Sequence, residues 1–200
     1  MFLFSIASAQ EQGKNPLAYK NEAMGIEITG PEGWSMWTPE KGDVSFSGLH
    51  VIFSRYPVGS KEKDNPKIIL EITTVRDVSG KIKGGKNPLE QANYVLKTMS
   101  DNTLAKVLSE VIVSTQKGAV KEVLNIIQEP GSVKINNQEG ARYAYERRNL
   151  DGILGKNYRE SNYVFMKDSV FYELSYGSRI EYFDEHLKEF EEAVNTFVLK

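Results

Sequence analysis

Ile26-Glu27-Ile28-Thr29 alternates apolar with polar side chains, the period-two pattern of a half-buried strand. Tyr19-Lys20 precedes it, and residues 21–24 form the intervening turn. Gly30-Pro31-Glu32-Gly33 is turn chemistry, with Trp34, Met36 and Trp37 directly after. Residues 51–56 read as a strand that Pro57 ends. Residues 68–75 are β-branched and apolar, which places a strand centrally in a sheet. The period then changes. Asn87-Pro88 is a helix start, with Asn as N-cap and Pro at the first position. Leu89, Ala92, Leu96 and Met99 share one face. Leu104, Val107, Leu108, Val111 and Ile112 continue at helical spacing, after an expected break near Asp101-Asn102. Val120, Val123, Leu124 and Ile127 predict a third, shorter helix that Pro130-Gly131 stops. Strands return at 132–135 and 139–147 around the turn Asn136-Asn137-Gln138. A hairpin follows, with strands at 158–166 and 170–176 around Lys167-Asp168-Ser169. Phe183, Leu187, Phe190, Val194 and Phe197 then mark a closing helix from about residue 182 to 195.

Strands, helices, strands and a helix, joined largely by hairpin-length turns, predict an α+β fold with a mostly antiparallel sheet covered by helices. The 200 residues suffice for a self-supporting core. Residues 1–16 read as a residual signal peptide and linker, and residues 17–200 as one domain. Ala7-Ser8-Ala9 has the small-x-small form that a signal peptidase accepts, which points to a location outside the cytoplasm. No run approaches the roughly 20 apolar residues of a membrane-spanning helix.

Composition narrows the chemistry. The chain has no cysteine, so disulfides, thiolate metal sites and cysteine nucleophiles are excluded. Two histidines, His50 and His186, exclude most histidine-rich metal sites. The balance of 25 basic and 27 acidic residues, net −2, argues against nucleic acid as the main partner. Gly80-x-x-x-x-Gly85-Lys86-Asn87 approaches a phosphate-binding loop. Asn87, however, replaces the magnesium-binding hydroxyl, and Pro88 removes a helix-start N–H, so a plain connector is expected. Neither histidine has Ser, Asp or Glu at a diagnostic spacing, and both are expected to be solvated. Asp64, Asp77 and Asp168 stand on separate loops and could meet only through the fold. No catalytic, cofactor or metal residue is assigned. Candidate partner contacts are Trp37, Tyr56, Arg147 and Arg148, since Trp, Tyr and Arg dominate binding hot spots. Surface ion pairing is the plainer role for the two arginines, which point to opposite faces of a strand.

Tyr19, Gly25-Ile26-Glu27-Ile28 and Pro31-x-Gly33-Trp34 together resemble the entry of PsbP-like domains. Asn136-Asn137-Gln138-Glu139-Gly140-Ala141, followed by Tyr143 and Tyr145, is similar to the family as well. So is the ending, Tyr172-Glu173-Leu174-Ser175-Tyr176 followed by Phe190-x-x-x-Val194-Asn195-Thr196-Phe197. The resemblance implies an α-β-α sandwich that ends in a helix and a short Phe-containing strand. Its members include photosystem II extrinsic subunits, bacterial envelope proteins and a Ran-binding factor, mostly non-catalytic binding or assembly modules. The stretch from Asp101 to Ile127 is longer and more helical than the family needs, and the lipid-attachment cysteine is absent. No photosystem- or Ran-contacting residue carries over. The resemblance thus implies an exported, non-catalytic domain that binds or stabilises an envelope protein, with no cofactor. The alternative is a small-ligand or metal-ion binding protein that uses a cleft between sheet and helices.

Overall fold

The computed structural model describes residues 17–39, 48–57, 66–74, 84–113, 122–149 and 157–200. Among the described residues, ten strands and two α-helices follow one another as β1 (Ala18–Asn21), β2 (Ile26–Thr29), β3 (Ser35–Trp37), β4 (Leu49–Ser54), β5 (Lys67–Thr74), α1 (Pro88–Val113), β6 (Glu122–Ile135), β7 (Gln138–Asn149), β8 (Tyr158–Lys167), β9 (Val170–Arg179), α2 (Phe183–Asn195) and β10 (Val198–Leu199). A short 3-10 turn, Ile180–Tyr182, leads into α2.

The strands form two sheets, not the one expected. β1, β2 and β10 make a three-stranded sheet, and β3-β4-β5-β9-β8-β7-β6 a seven-stranded one. Every strand pairing among the described residues is antiparallel. The entry hairpin therefore pairs with the chain's last strand and stands apart from the larger sheet.

The turn residues explain two of the hairpins. Asn136 and Asn137 both lie at positive φ (47° and 63°), as do Asp168 and Ser169 (51° and 62°). Two successive left-handed residues make the turn whose twist matches a right-twisted hairpin. Asn and Asp tolerate that region, and serine does so at a cost. Ser169→Gly is therefore expected to stabilise the chain by about 1 kcal/mol, read as a shift in the denaturant midpoint at unchanged slope.

Two regions depart from the sequence expectation. The stretch around Val123, Leu124 and Ile127 is the first half of β6, not a helix; Val120 lies outside the described residues. Its β-branched residues fit either period, and pairing with β7 along Glu122–Ile135 decides for the strand. Pro130-Gly131 does not stop the element. It falls where the register slips between Gln128 and Gly131, on the outermost strand of the sheet, where proline removes no ladder bond. Conversely α1 runs unbroken for 26 residues through Asp101-Asn102. Asp and Asn each cost only about 0.7 kcal/mol in a helix interior, and no Gly or Pro follows Pro88 within it.

Buried side chains form two clusters. Tyr163 and Phe165 of β8 belong to one, with Leu174 and Tyr176 of β9 and Phe183, Phe190, Ala193 and Val194 of α2. Val164 of β8 and Phe171 of β9 belong to the other, with Tyr143 and Tyr145 of β7 and Ala92 and Leu96 of α1. Successive residues of a strand point to opposite faces, so each helix draws on its own set. Phe190 stacks on Tyr176 at 5.5 Å and meets Tyr163 edge-on at 5.7 Å. Gly30 is held to its identity by Phe53, whose ring would lie 2.2 Å from any added Cβ.

Candidate partner-contact surface

The ladder fixes where the four candidate contact residues stand. Ser54 pairs with Lys67, Lys67 with Gly177, Gly177 with Glu160 and Glu160 with Tyr145. Tyr56, two residues past Ser54, therefore shares one end of the sheet with Arg147 and Arg148. It stands four strands away, about 19 Å at the usual strand spacing. Tyr56 is 41% exposed. Trp37 pairs with Ile52 in the middle rows at the β3 edge, half-buried and five strands, about 24 Å, from the arginines. The fold thus splits the four into separate places. Trp34, the other tryptophan, is buried at 1% exposure.

Arg147 and Arg148 do point to opposite faces. The Arg147 guanidinium lies over the Tyr145 ring at 5.5 Å. Arg148 turns back to Glu146, giving hydrogen bonds from Nε (2.9 Å) and Nη2 (2.8 Å) to Oε2. Arg159, across the ladder on β8, donates from Nε (2.9 Å) and Nη2 (2.6 Å) to Oε1 of the same carboxylate. Glu146 is 1% exposed, so one buried carboxylate holds two guanidinium forks. Burial pushes its carboxyl upward, but the hydrogen bonds and charges of Arg159 and Arg148 outweigh that and hold it below the usual range. Arg159 also lies over Phe183 at 5.2 Å and reaches Asp184 at 3.4 Å. Arg179 lies over the exposed Tyr182 at 6.0 Å. Four arginines on β7, β8 and β9 therefore gather at one end of the sheet. Sequence reasoning found two of them. Glu146 is followed by two arginines that read as solvated surface, and Arg159 is 13 residues away, so the pattern carried no signal of the pair.

Glu146 sets an acid limb. A carboxyl whose folded pKa is depressed adds stability that is complete above its unfolded value, near 4.5, and is lost as pH falls through the lower folded value. Glu146→Gln is expected to flatten the fall in melting temperature below about pH 4.5.

The other face of the same strands carries a second polar group. Tyr143 donates to Glu173 of β9, and Tyr145 to Glu160 of β8. Burial raises both phenols well above their ordinary range, and the facing carboxylates add to it, so both stay neutral at physiological pH. Asn162, which pairs with Tyr143, is 2% exposed, and its Nδ2 has no hydrogen-bond partner.

The remaining sequence candidates resolve locally. At the near phosphate loop, the amides of Gly85, Lys86 and Glu90 donate to Gln91, Glu90 and Asn87 side chains. These three amides are already taken, and Asn87 with Glu90 forms a helix cap. Gly80 lies outside the described residues. His186 is only partly solvated: it is 20% exposed, contacts Glu189 at 2.8 Å and meets Trp34 edge-on at 5.7 Å. Trp34 Nε1 donates to that same Glu189 oxygen at 3.1 Å. His50 lies 3.4 Å from the Tyr19 hydroxyl, and burial lowers its pKa. Asp168 occupies a turn; Asp64 and Asp77 lie outside the described residues. No group of three or more metal-ligating residues is present among the described residues. A cleft of about 630 Å³ opens between the β1–β2 and β8–β9 turns, rimmed by Lys20, Glu27, Lys167 and Tyr172. Another, of about 610 Å³, lies between residues 29–33 and α2. Among the described residues no helix is long and apolar enough to cross a membrane.

No protein-family model matches the sequence, and no curated protein matches it. Solved structures do. The chain is similar to cyanobacterial PsbP (CyanoP) from Synechocystis, with a TM-score of 0.56 at 13% identity, over 98% of this chain and 99% of that one. It is also similar to the Ran-binding protein Mog1p of Saccharomyces cerevisiae, with a TM-score of 0.52 at 8% identity, over 94% of this chain and 96% of that one. The chain has the PsbP-like fold.

Proposed function

We propose that this chain is a non-catalytic PsbP-like binding domain, with its larger sheet sandwiched between α1 and α2, that docks on a protein partner in the cell envelope. The observation that carries the proposal is the arginine-rich end of β7, β8 and β9, where exposed Arg147 and Arg148 stand beside Arg159 and Arg179. Arginine beside exposed tyrosine is the composition of binding hot spots. The similar Mog1p is by name a Ran-binding protein, which supports a protein partner in general terms. The small-x-small segment Ala7-Ser8-Ala9 supports the envelope; it lies outside the described residues.

The test is to express the tagged full-length chain in its source organism, cross-link mildly, and identify what co-purifies from the envelope fraction. One stoichiometric protein is expected. A chain that is recovered alone, or that stays in the cytoplasmic fraction, contradicts the proposal.

A second reading, small-ligand binding, is favoured by Asn162, whose buried Nδ2 lacks a hydrogen-bond partner beside two tyrosine–glutamate pairs. A ligand that binds there raises the melting temperature by mass action, and Asn162→Leu abolishes the rise.

A further inference from the structure

We infer that Arg148, with Arg159 behind it, is a preset anchor for an acidic segment of a partner protein. The inference rests on the binding-domain reading above and adds the chemistry of what is bound. Glu146 uses the Nε–Nη2 edge of each guanidinium, so neither fork is free to swing. A long side chain normally loses rotamer freedom on binding, and here the fold has already removed it. Two guanidiniums against one buried carboxylate leave a net positive charge, and Arg148 stays 53% exposed. Asp184, the further acid on Arg159, is 80% exposed and only 3.4 Å away in one contact, so solvent screens it.

The surroundings suit a peptide. Tyr182 is 39% exposed beneath Arg179. A planar guanidinium fork matches a carboxylate, and an apolar side chain flanking such an acid would cover the tyrosine. Net charge decides between a short acidic segment and an extended anionic surface. The whole chain is net −2, so a nucleic acid or an anionic bilayer meets overall repulsion. A short segment meets mainly the local field of the cluster, because the chain's charges more than a Debye length away are screened.

The probe is a fluorescein-labelled octaglutamate peptide, followed by anisotropy at low and at physiological salt. Wild type is expected to bind it, with Arg148→Glu weakening binding about tenfold. Arg148→Lys, which keeps the charge and loses the fork, weakens it about threefold. Lys134→Glu, on an exposed residue near the opposite end of β6, leaves it within about twofold. Arg148→Ala replaces the charge reversal if that variant does not fold. Equal loss in Arg148→Glu and Lys134→Glu overturns the anchor, because binding then follows net charge. So does octaglutamate failing to bind while vesicles of phosphatidylglycerol do. The two proposals fail separately. A co-purified partner indifferent to Arg148→Glu removes the anchor and leaves the binding domain. Octaglutamate binding by a chain that recovers no partner removes the binding domain and leaves the anchor.

Discussion

Replacing Trp34 with alanine lowers stability by about 4 kcal/mol, the cost of emptying a fully buried aromatic site. For a chain of 200 residues this is a fall of roughly 8–16 °C in melting temperature. The loss is not only packing. Trp34 is 1% exposed and follows Gly33, whose φ of 74° turns the chain so that the indole enters the core. Its Nε1 donates to Glu189 on α2, and His186 leans edge-on against its ring and contacts the same carboxylate. The indole thus ties the turn after β2 to the closing helix. Trp34→Phe separates the two contributions. It restores most of the volume and loses the hydrogen bond, so about 1–2 kcal/mol of the deficit remains. Thermal melts of both variants measure the split. A Trp34→Ala chain that melts within a degree or two of wild type would mean that this side chain does not join turn to helix.

Arg159→Ala is expected to cost about 3 kcal/mol, a fall of roughly 6–12 °C. Glu146 is almost completely buried, and Arg159 supplies both hydrogen bonds to its Oε1. Removing Arg159 leaves Oε1 of a buried carboxylate without its donors, with only the half-exposed Arg148 on the other oxygen. The Arg159 guanidinium also covers the Phe183 ring, so packing is lost with charge. Arg148→Ala, at the other oxygen, is the contrasting case. Arg148 is 53% exposed, water replaces part of its contact, and about 1 kcal/mol or less is expected. Denaturant curves for the two variants give the comparison. Equally small losses, of about 1 kcal/mol or less, would show that Glu146 is reached by solvent, and that its arginines are not preset.

The sequence made part of this legible. The apolar spacing of α2 was readable because Phe183, Phe190 and Val194 pack one face while Glu185, Lys188 and Glu192 face water. Asn136-Asn137-Gln138 and Lys167-Asp168-Ser169 were readable as turns because Asn and Asp accept the left-handed backbone that Asn136, Asn137 and Asp168 adopt. The resemblance to PsbP-like domains rested on turns and strands of this kind, and the fold agrees with it. β6 was misread because Val123, Leu124 and Ile127 satisfy a helical spacing, while the strand's stabilising partners are residues of β7, such as Arg147 and Tyr145. The site was largely hidden for the same reason. Arg147 and Arg148 stood out as neighbours in sequence, but Glu146 gained its meaning from Arg159 across a ladder. Trp34 and Glu189 meet across 155 positions. Neighbouring spacing records local geometry, and these contacts are made by sheet order.

One placement experiment tests the central claim, that the arginine end of the sheet is the partner-binding end. A photo-cross-linking amino acid is introduced at Tyr158, which pairs with both Arg147 and Arg179, and separately at Asn137, in the exposed turn at the other end. Both chains are expressed in the source organism and irradiated. Cross-linking of one defined protein from position 158, and none of it from position 137, is the predicted result. The same protein trapped equally from both positions, or from position 137 alone, would contradict the account.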